Sequence, residues 1–440
     1  MNQKLKKKTE MSEETLLHYV WKHKLYVSDA FQTTDGTPLE IIDTGIYNSD
    51  AGPDFFNTKI KLGNQLWVGN IEIHTRSSDW YKHRHHTNKA YNSVILHVVA
   101  SADEQTIRDE SGRVIPQWIM KIPSSVQENY FSLMNKTDTI PCLGRISEIP
   151  EIYLTDWKNA LLTERLERKT NQILQLLDDY QADWNEVFYI VLARNFGFGI
   201  NNDAFERLAK SLPLKYLLKH YDSEVQTEAL WLGQAGLLEN DDIPDDYYLL
   251  LQQEYRFLSH KYDLQPLEPH LFKSLRIRPN NFPYIKIVQL AGYIGRKQSL
   301  FSQLLETEGL KNFQALFYAD VNAYWETHYH FGKTSVARKK RLGLSALNIL
   351  LINTVVPVLF AYGGKNKQEI FTERAIQLLE AIPAEENHIV HTFKRAGISV
   401  LHAGDSQALI QLKKEYCEPK KCIYCRIGNK LLRKNVYLQT

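Results

Sequence analysis

The sequence has few cysteines, little net charge and only one long apolar run. Its 440 residues include four cysteines, and the formal net charge is +2. The basic stretch from Met1 to Ser12 contains no apolar core segment, so it does not read as a signal peptide. Without a secretion signal, the cysteines indicate a reducing compartment rather than structural disulfides. We therefore expect a cytoplasmic protein.

The one long apolar run, Leu342 to Tyr362, carries no charged residue and is about long enough to span a bilayer. It contains Ser345, Asn348, Asn353 and Pro357, however. A buried helix in a large helical domain would have the same composition. We favour this interpretation and expect no membrane partner.

The basic residues are clustered rather than spread, so the small net charge says little about partners. One cluster, from Lys413 to Lys434, lies near the C-terminus. Hydrophobic content of 43% and charged content of 24% are those of a globular protein. The length favours two or three domains over a single core.

The first third of the chain alternates helical and strand patterns. A hairpin is predicted from two β-rich runs separated by Gly63-Asn64, a two-residue turn signal. The remaining predicted elements are a helix from Ser12 to Tyr26 and strands at Leu39 to Ile46, Ser93 to Ala100 and Val114 to Ile122. This α-β-β-β-α-β order predicts a mixed sheet flanked by helices.

From about Pro150 the periodicity becomes helical, beginning with a long helix from Thr155 to Tyr180. The fold class predicted is therefore α+β. We expect a β-rich domain over residues 1–149, an all-α domain over 150–405 and a basic cysteine-containing segment over 406–440.

The predicted hairpin carries ionisable residues at one end. Glu72 and His74 are two residues apart on the second strand, so their side chains leave the same face of the sheet. Asp54 enters the first strand directly after Pro53. Two carboxylates and an imidazole are thus expected to converge. The plainer alternative is a half-exposed hairpin whose polar residues face water.

Pro53-Asp54 followed by Glu72-x-His74 resembles the signature of the PD-(D/E)xK nuclease superfamily. The resemblance implies that Asp54 and Glu72 hold Mg²⁺ or Mn²⁺ for phosphodiester hydrolysis. His74 stands where the superfamily has lysine; a neutral imidazole accepts a proton near pH 7 but brings no fixed positive charge. Lys61, or less favourably Lys59, is expected to supply that charge.

A histidine-rich segment, Ser77 to His86, follows the hairpin. We expect His83 and His86 to contact substrate, by binding phosphate or stacking on bases. The alternative is a Zn²⁺ or Mn²⁺ site built from His74, His83, His86 and Asp79. His97, on a predicted buried strand, is a further candidate.

Three cysteines, Cys417, Cys422 and Cys425, lie within nine residues near the C-terminus. Thiolates at this spacing suit zinc or an iron–sulfur cluster. The remaining cysteine, Cys142, is the only thiol available as a fourth ligand and would fasten the C-terminus to the first domain. A histidine could be the fourth ligand instead. The other alternative is a set of buried, unliganded thiols.

Several distinctive words together resemble a bacterial family known as domain of unknown function 2851. They are residues 48–55 (NSDAGPDF), 69–74 (GNIEIH), 77–80 (SSDW), 94–99 (VILHVV), 193–198 (ARNFGF), 281–283 (NFP) and the cysteine cluster. The family resemblance implies no activity. The motif analogy predicts a metal-dependent nuclease that binds nucleic acid. The alternative is a non-catalytic nucleic-acid-binding or scaffolding protein with a degenerate nuclease fold.

Overall fold

A computed structural model describes residues 13–27, 31–136, 138–240, 243–294 and 299–434. The chain divides into two compact units. The first takes residues within 1–157, 395–398 and 412–440, and the second takes 158–394 and 399–411. The C-terminal segment, predicted as a separate region, thus belongs to the same unit as the N-terminal sheet.

The first unit is built on a six-stranded mixed sheet, as the sequence predicted. Its strand order is β1-β3-β4-β5-β8, with β2 paired to β3. β1, β3 and β4 are antiparallel neighbours, whereas β4, β5 and β8 run parallel. The strands are β1 Leu39–Asp43, β2 Ile46–Tyr47, β3 Phe55–Leu62, β4 Gln65–Arg76, β5 Val94–Ser101 and β8 Gln117–Ile119, with β6 Ile107–Arg108 and β7 Val114–Ile115 as a separate pair.

The predicted hairpin is present, because Leu62 lies opposite Gln65 across the turn. The predicted strand from Val114 to Ile122 is wrong in one respect. Pro116 divides it, so that β7 pairs with β6 and only β8 joins the main sheet. Proline has no backbone N–H to donate to a ladder, although its carbonyl still accepts from His97 N at 2.9 Å.

Close contact between β4 and β5 depends on Gly69. A Cβ atom there would lie 2.3 Å from Ile95 Cγ2 and 2.9 Å from Ser93 O. Only glycine lets the two strands approach in this way. The resulting register pairs Glu72 with His97 and so brings the two side chains to neighbouring positions on the sheet.

Helices cover the sheet and connect its strands. The first, α1, comprises residues 13–22; Ser12, the predicted start, lies outside the described residues. Trp21 of α1 is buried and donates from Nε1 to Thr44 O at 3.0 Å. The crossover from β4 to β5 contains only a short helix, α2 Asp79–Lys82, and two 3₁₀ turns. After β8 comes α3 Ser124–Met134.

The rest of the chain is mainly helical, which confirms the α+β class. The long helix α4 begins at Glu151, directly after Pro150, and ends at Asp179. The following helices are α5 Trp184–Phe196, α6 Asn202–Ser211, α7 Leu214–Leu217, α8 Glu224–Gln234, α9 Asp246–Tyr262, α10 Pro283–Ile294, α11 Leu300–Glu306, α12 Leu310–Leu316, α13 Ala323–Thr327, α14 Leu344–Leu350, α15 Val356–Asn366, α16 Glu369–Ala381, α17 His388–Arg395, α18 Ala403–Gln411 and α19 Arg426–Leu432, with a short strand pair β9 His328–His330 and β10 Lys333–Thr334.

The long apolar run forms one continuous helical stretch, Leu344–Asn366, long and apolar enough to cross a membrane by length and composition. Its most apolar window is 61% buried inside the protein. A π-helical turn, Leu351–Val355, lies in its middle, just before Pro357. Buried side chains such as Leu350 and Val358 place the stretch in the core of the second unit, as expected of a buried helix.

Candidate functional site

Four side chains that can bind a metal converge at the end of β4. Two of them, Glu72 and His74, belong to the strand itself and share one face, as its alternation predicts. Glu72 is 4% exposed and His74 1% exposed. The other two, His83 and His85, come from the crossover that follows.

The crossover turns back towards the strand at Arg84, whose φ of 61° lies in the left-handed region. This reversal between α2 and the next 3₁₀ turn brings both flanking histidines to the same place. His85 is buried and stacks on Tyr91 with ring centroids 3.8 Å apart. His83 remains exposed to solvent.

Distances among these four side chains are those of a ligand shell. Glu72 Oε1 lies 3.4 Å from His74 Nε2 and 3.1 Å from His85 Nε2. His83 Nδ1 is 3.0 Å from His74 Nε2. One ring nitrogen from each of the three histidines lies within 4.8 Å of the others. A tetrahedral ion with ligands at about 2.0–2.1 Å would hold them roughly 3.3–3.4 Å apart.

Burial makes His74 and His85 neutral, which leaves their ring nitrogens able to bind a cation. Burial lowers the pKa of His85 to about 4, and burial with neighbouring imidazoles lowers that of His74 well below its usual value. His85 Nε2 has no hydrogen-bond partner among the described residues, although Glu72 Oε1 is close. A neutral imidazole with an unused nitrogen beside a carboxylate oxygen is a metal-binding arrangement.

The carboxyl of Glu72 is the electrostatic centre of the group. Burial, reinforced by the negative charge of Asp54, raises the pKa of Glu72 to about 10. The neutral histidines do not compensate a negative charge on Glu72. The carboxyl therefore carries a proton near pH 7 unless a cation takes the proton's place.

His97 on β5 contacts Nδ1 of His74, whereas Glu72 and His83 lie near its Nε2. His97 Nε2 lies 2.8 Å from His74 Nδ1, and His97 is fully buried. If His74 uses Nε2 as a ligand atom, its Nδ1–H donates to His97, which fixes the ring orientation. His97, a further candidate by its place on a buried strand, thus lies next to the group.

Asp54 lies beside Glu72 but faces α1. Its Oδ2 accepts from Ile73 N at 2.8 Å and is 3.3 Å from His18 Nε2. Its backbone N donates to Glu72 Oε2 at 3.3 Å. Burial opposes a charge on His18, but the hydrogen bond to Asp54 and its charge outweigh burial and raise the pKa of His18. Asp54 and His18 thus form an ion pair next to the ligand group.

The structure does not bring every predicted site residue to this group. Lys61 is exposed on β3 opposite Leu66, next to the hairpin turn, and Lys59 lies on the same exposed face. Seven residues of extended strand separate Lys61 from Asp54, a distance of roughly 20 Å. The expectation that Lys61 supplies a positive charge at the site is therefore wrong in its placement.

The second misplaced residue is His86. It is half-buried and packs on Tyr81, with ring centroids 5.0 Å apart, while its neighbour His85 occupies the position beside Glu72. Asp79, the other alternative ligand, accepts from Thr75 Oγ1 and Arg76 N and pairs with Lys82. The sequence could not distinguish His85 from His86, because the left-handed Arg84 decides which of them turns inward.

Two cavities adjoin the group. One of about 380 Å³ is lined by Glu14, Thr75, Asp79 and His83, among others. The other, of about 240 Å³, is lined by His18 and Tyr47 and reaches Tyr424 of the C-terminal segment. His83 and His18 are the members of this neighbourhood that solutes can approach.

The arrangement predicts that His85, not His86, is needed for metal binding. His85→Ala should weaken the affinity for Mn²⁺ or Zn²⁺ by more than the roughly 10–100-fold loss typical of an outer-shell partner. His86→Ala is the matched control and should bind as the wild type does. Calorimetric titration of both variants measures this, and equal affinities would contradict the assignment.

Metal binding should also release a proton. Because the pKa of Glu72 is about 10 without a cation, the incoming ion must displace about one proton at pH 7. Affinity should then rise about tenfold per pH unit from about pH 7 up to the pKa of Glu72. Calorimetry in two buffers of different ionisation enthalpy counts the protons. Glu72→Gln should abolish the release, and a release that persists in this variant would assign the proton elsewhere.

Comparison with known proteins adds a family but no activity. A family model described as "Protein of unknown function (DUF2851)" matches residues 14–388. No curated protein and no solved structure matches the chain. The matched region contains the sheet and all of the histidines described above, and it spans far more than half of the chain. The chain therefore belongs to the DUF2851 family of proteins of unknown function.

Proposed function

We propose that this protein is a metal-dependent hydrolase that cleaves phosphodiester bonds of nucleic acid. The observation that carries the proposal is the convergence of Glu72, His74, His83 and His85 at separations of 3.0–3.4 Å. Binding a divalent cation is a chemical use that explains the buried carboxyl and the three imidazoles together.

The ligand types favour Mn²⁺ or Zn²⁺ over Mg²⁺. The sequence motif suggested Mg²⁺ or Mn²⁺ held by Asp54 and Glu72, but magnesium prefers oxygen ligands and keeps several waters. Three imidazole nitrogens suit manganese and zinc better. A divalent ion at such a site lowers the pKa of bound water and polarises a phosphoryl oxygen.

The chain's own residues divide the remaining work. Glu72, His74 and His85 are buried and would hold the ion rigidly, whereas His83 is exposed and borders the 380 Å³ cavity where substrate enters. Asp54, paired with His18 at 3.3 Å, is placed to orient or deprotonate the attacking water. The motif analogy predicted that His74 positions the water. We assign this role to Asp54 instead.

A cationic cavity in the same compact unit supports nucleic acid as the substrate. This cavity, of about 720 Å³, is lined by Arg426, Lys430, Arg433 and Lys434, together with Tyr153 and Tyr424. Two carboxylates also line it: Asp156 pairs with Arg426, and Glu148 pairs with Lys434 at 3.0 Å. An excess of cations interleaved with aromatic rings suits a phosphate backbone and its bases.

The cationic cavity continues towards the candidate metal site. It shares Tyr424 and Asn429 with the 240 Å³ cavity that His18 lines. A polyanion held along Arg426 and Lys430 would therefore extend towards the Asp54–His18 pair. Nucleic acid is a polyanion whose phosphates and bases suit such a surface, and we retain the cytoplasm as the expected location of the protein.

The direct test is hydrolysis of single- and double-stranded DNA and RNA by the full chain with Mn²⁺, Zn²⁺ or Mg²⁺. Glu72→Gln and His85→Ala should lose activity by more than about 100-fold, since each removes a metal ligand. His86→Ala should retain it. Absence of cleavage in every metal, with binding preserved, would replace the hydrolase by the non-catalytic nucleic-acid-binding alternative.

Nucleic-acid binding is tested by replacing each of two exposed lysines with alanine, one inside the cationic cavity and one outside it. Lys430 lines the cationic cavity 4.5 Å from the Tyr153 ring, whereas Lys61 lies near the hairpin turn. Lys430→Ala should weaken nucleic-acid binding and reduce the salt slope of log K by about 1. Lys61→Ala should change neither. If Lys61→Ala weakened binding and Lys430→Ala did not, the nucleic-acid-binding surface would instead lie at the hairpin.

A further inference from the structure

The four cysteines lie near enough for their thiols to interact, although Cys142 is far from the other three in sequence. Each is 6–8% exposed, and no disulfide links any of these four, all of which are described. Their thiols influence one another directly. Burial first, and then Cys425 and Cys422, raise the pKa of Cys142 to about 12. Burial and then Cys142, Cys425 and Cys422 raise the pKa of Cys417.

The segment from Cys417 to Cys425, which we call the knuckle, folds into a compact turn. Cys417 ends the π-helical segment Leu412–Cys417, and Lys420 reverses the chain with a φ of 55°. Cys422 opens a 3₁₀ turn, and Cys425 caps α19. A Cβ atom on Gly428 would lie only 2.0 Å from Cys422 O, so glycine is required where α19 passes the turn.

The same knuckle is docked onto the chain that leads into Cys142. Lys420 Nζ donates to Met134 O at 2.7 Å and to Lys136 O at 3.0 Å. Beyond the knuckle, Asn129 of α3 donates to Lys434 O at 3.3 Å. The approach of Cys142 to the other cysteines is thus fixed by contacts that do not involve sulfur.

We propose that Cys142, Cys417, Cys422 and Cys425 bind a thiophilic metal centre through four thiolates. Four buried thiols as plain hydrophobic residues would be the alternative. That alternative does not explain why the chain's only four cysteines, one of them 275 positions before the next, share one buried location. Four neighbouring thiolates are a zinc or iron–sulfur ligand set.

The centre would anchor the segment that carries the cationic cavity. Cys425 immediately precedes Arg426, and α19 contributes Arg426 and Lys430 to the cavity wall. With the metal bound, the short helix α19 is fixed at its first residue to the sheet-containing unit. The proposal does not depend on the hydrolase activity, because it concerns ligands that lie outside the histidine group.

The test is metal analysis of the full chain purified without oxygen. Beyond any ion that the histidine group holds, we expect about one zinc ion per chain, or about four iron atoms with inorganic sulfide and visible absorption. Cys142→Ser and Cys425→Ser should lose this metal, whereas His85→Ala should keep it. Limited proteolysis should then cut the C-terminal segment of both cysteine variants faster than that of the wild type.

A measurement on the wild type avoids variants that fail to fold. A mercurial reagent that titrates thiols should release the metal in step with the modification of four cysteines per chain. Zinc or iron released in this way confirms thiolate ligation and identifies the metal. A folded wild type from which thiol modification releases neither metal, even after reconstitution with zinc or with iron and sulfide, would overturn the proposal. So would full metal content in Cys142→Ser.

Discussion

The first unit is organised around a buried carboxyl that lacks a permanent counter-charge. Burial keeps the neighbouring imidazoles of His74 and His85 neutral, and the nearby Asp54 adds a second negative charge. Such a carboxyl must hold either a proton or a metal ion, because an isolated charge in a low-dielectric interior is strongly unfavourable. The histidines are arranged for the second outcome: their nitrogens face the carboxylate, and one of them has no hydrogen-bond partner in the described chain.

The sheet makes this arrangement possible. The parallel approach of β4 and β5 at Gly69 sets the register that places His97 behind His74. The crossover between these strands forms only a short helix and two 3₁₀ turns, and its polar residues remain close to the strand end. The left-handed backbone at Arg84 then turns two histidines towards Glu72. A functional site at the end of a strand, completed by the loop that follows, combines a rigid support with side chains that solvent can reach.

The C-terminal segment from residue 412 onwards belongs to the first unit, although it lies at the far end of the chain. It carries the arginines and lysines of the cationic cavity and three of the four cysteines. Lys420 holds the segment in position by donating hydrogen bonds to the carbonyl oxygens of Met134 and Lys136. Lys434 adds an ion pair with Glu148. Metal ligation by the cysteines would add covalent-strength attachment to these individually modest contacts, since exposed ion pairs contribute little by themselves.

Local sequence rules determined much of this protein. The hairpin turn at Gly63-Asn64, the shared face of Glu72 and His74, the buried strand that bears His97 and the change to helices near Pro150 all follow from periodicity and turn chemistry. They could be predicted because each depends on neighbours a few residues away. The break at Pro116 was missed, although a proline inside an apparent strand is itself a local signal.

Only the tertiary structure decided which groups meet. Lys61 and His86 have the residue types that a nuclease site needs, but strand length carries Lys61 to the wrong end of the hairpin and Arg84 turns His85 inward instead. His18 joins Asp54 from a helix that no motif connects to it. Cys142 reaches its partners across 275 positions of sequence. These outcomes depend on long-range packing, which residue type and spacing do not encode locally.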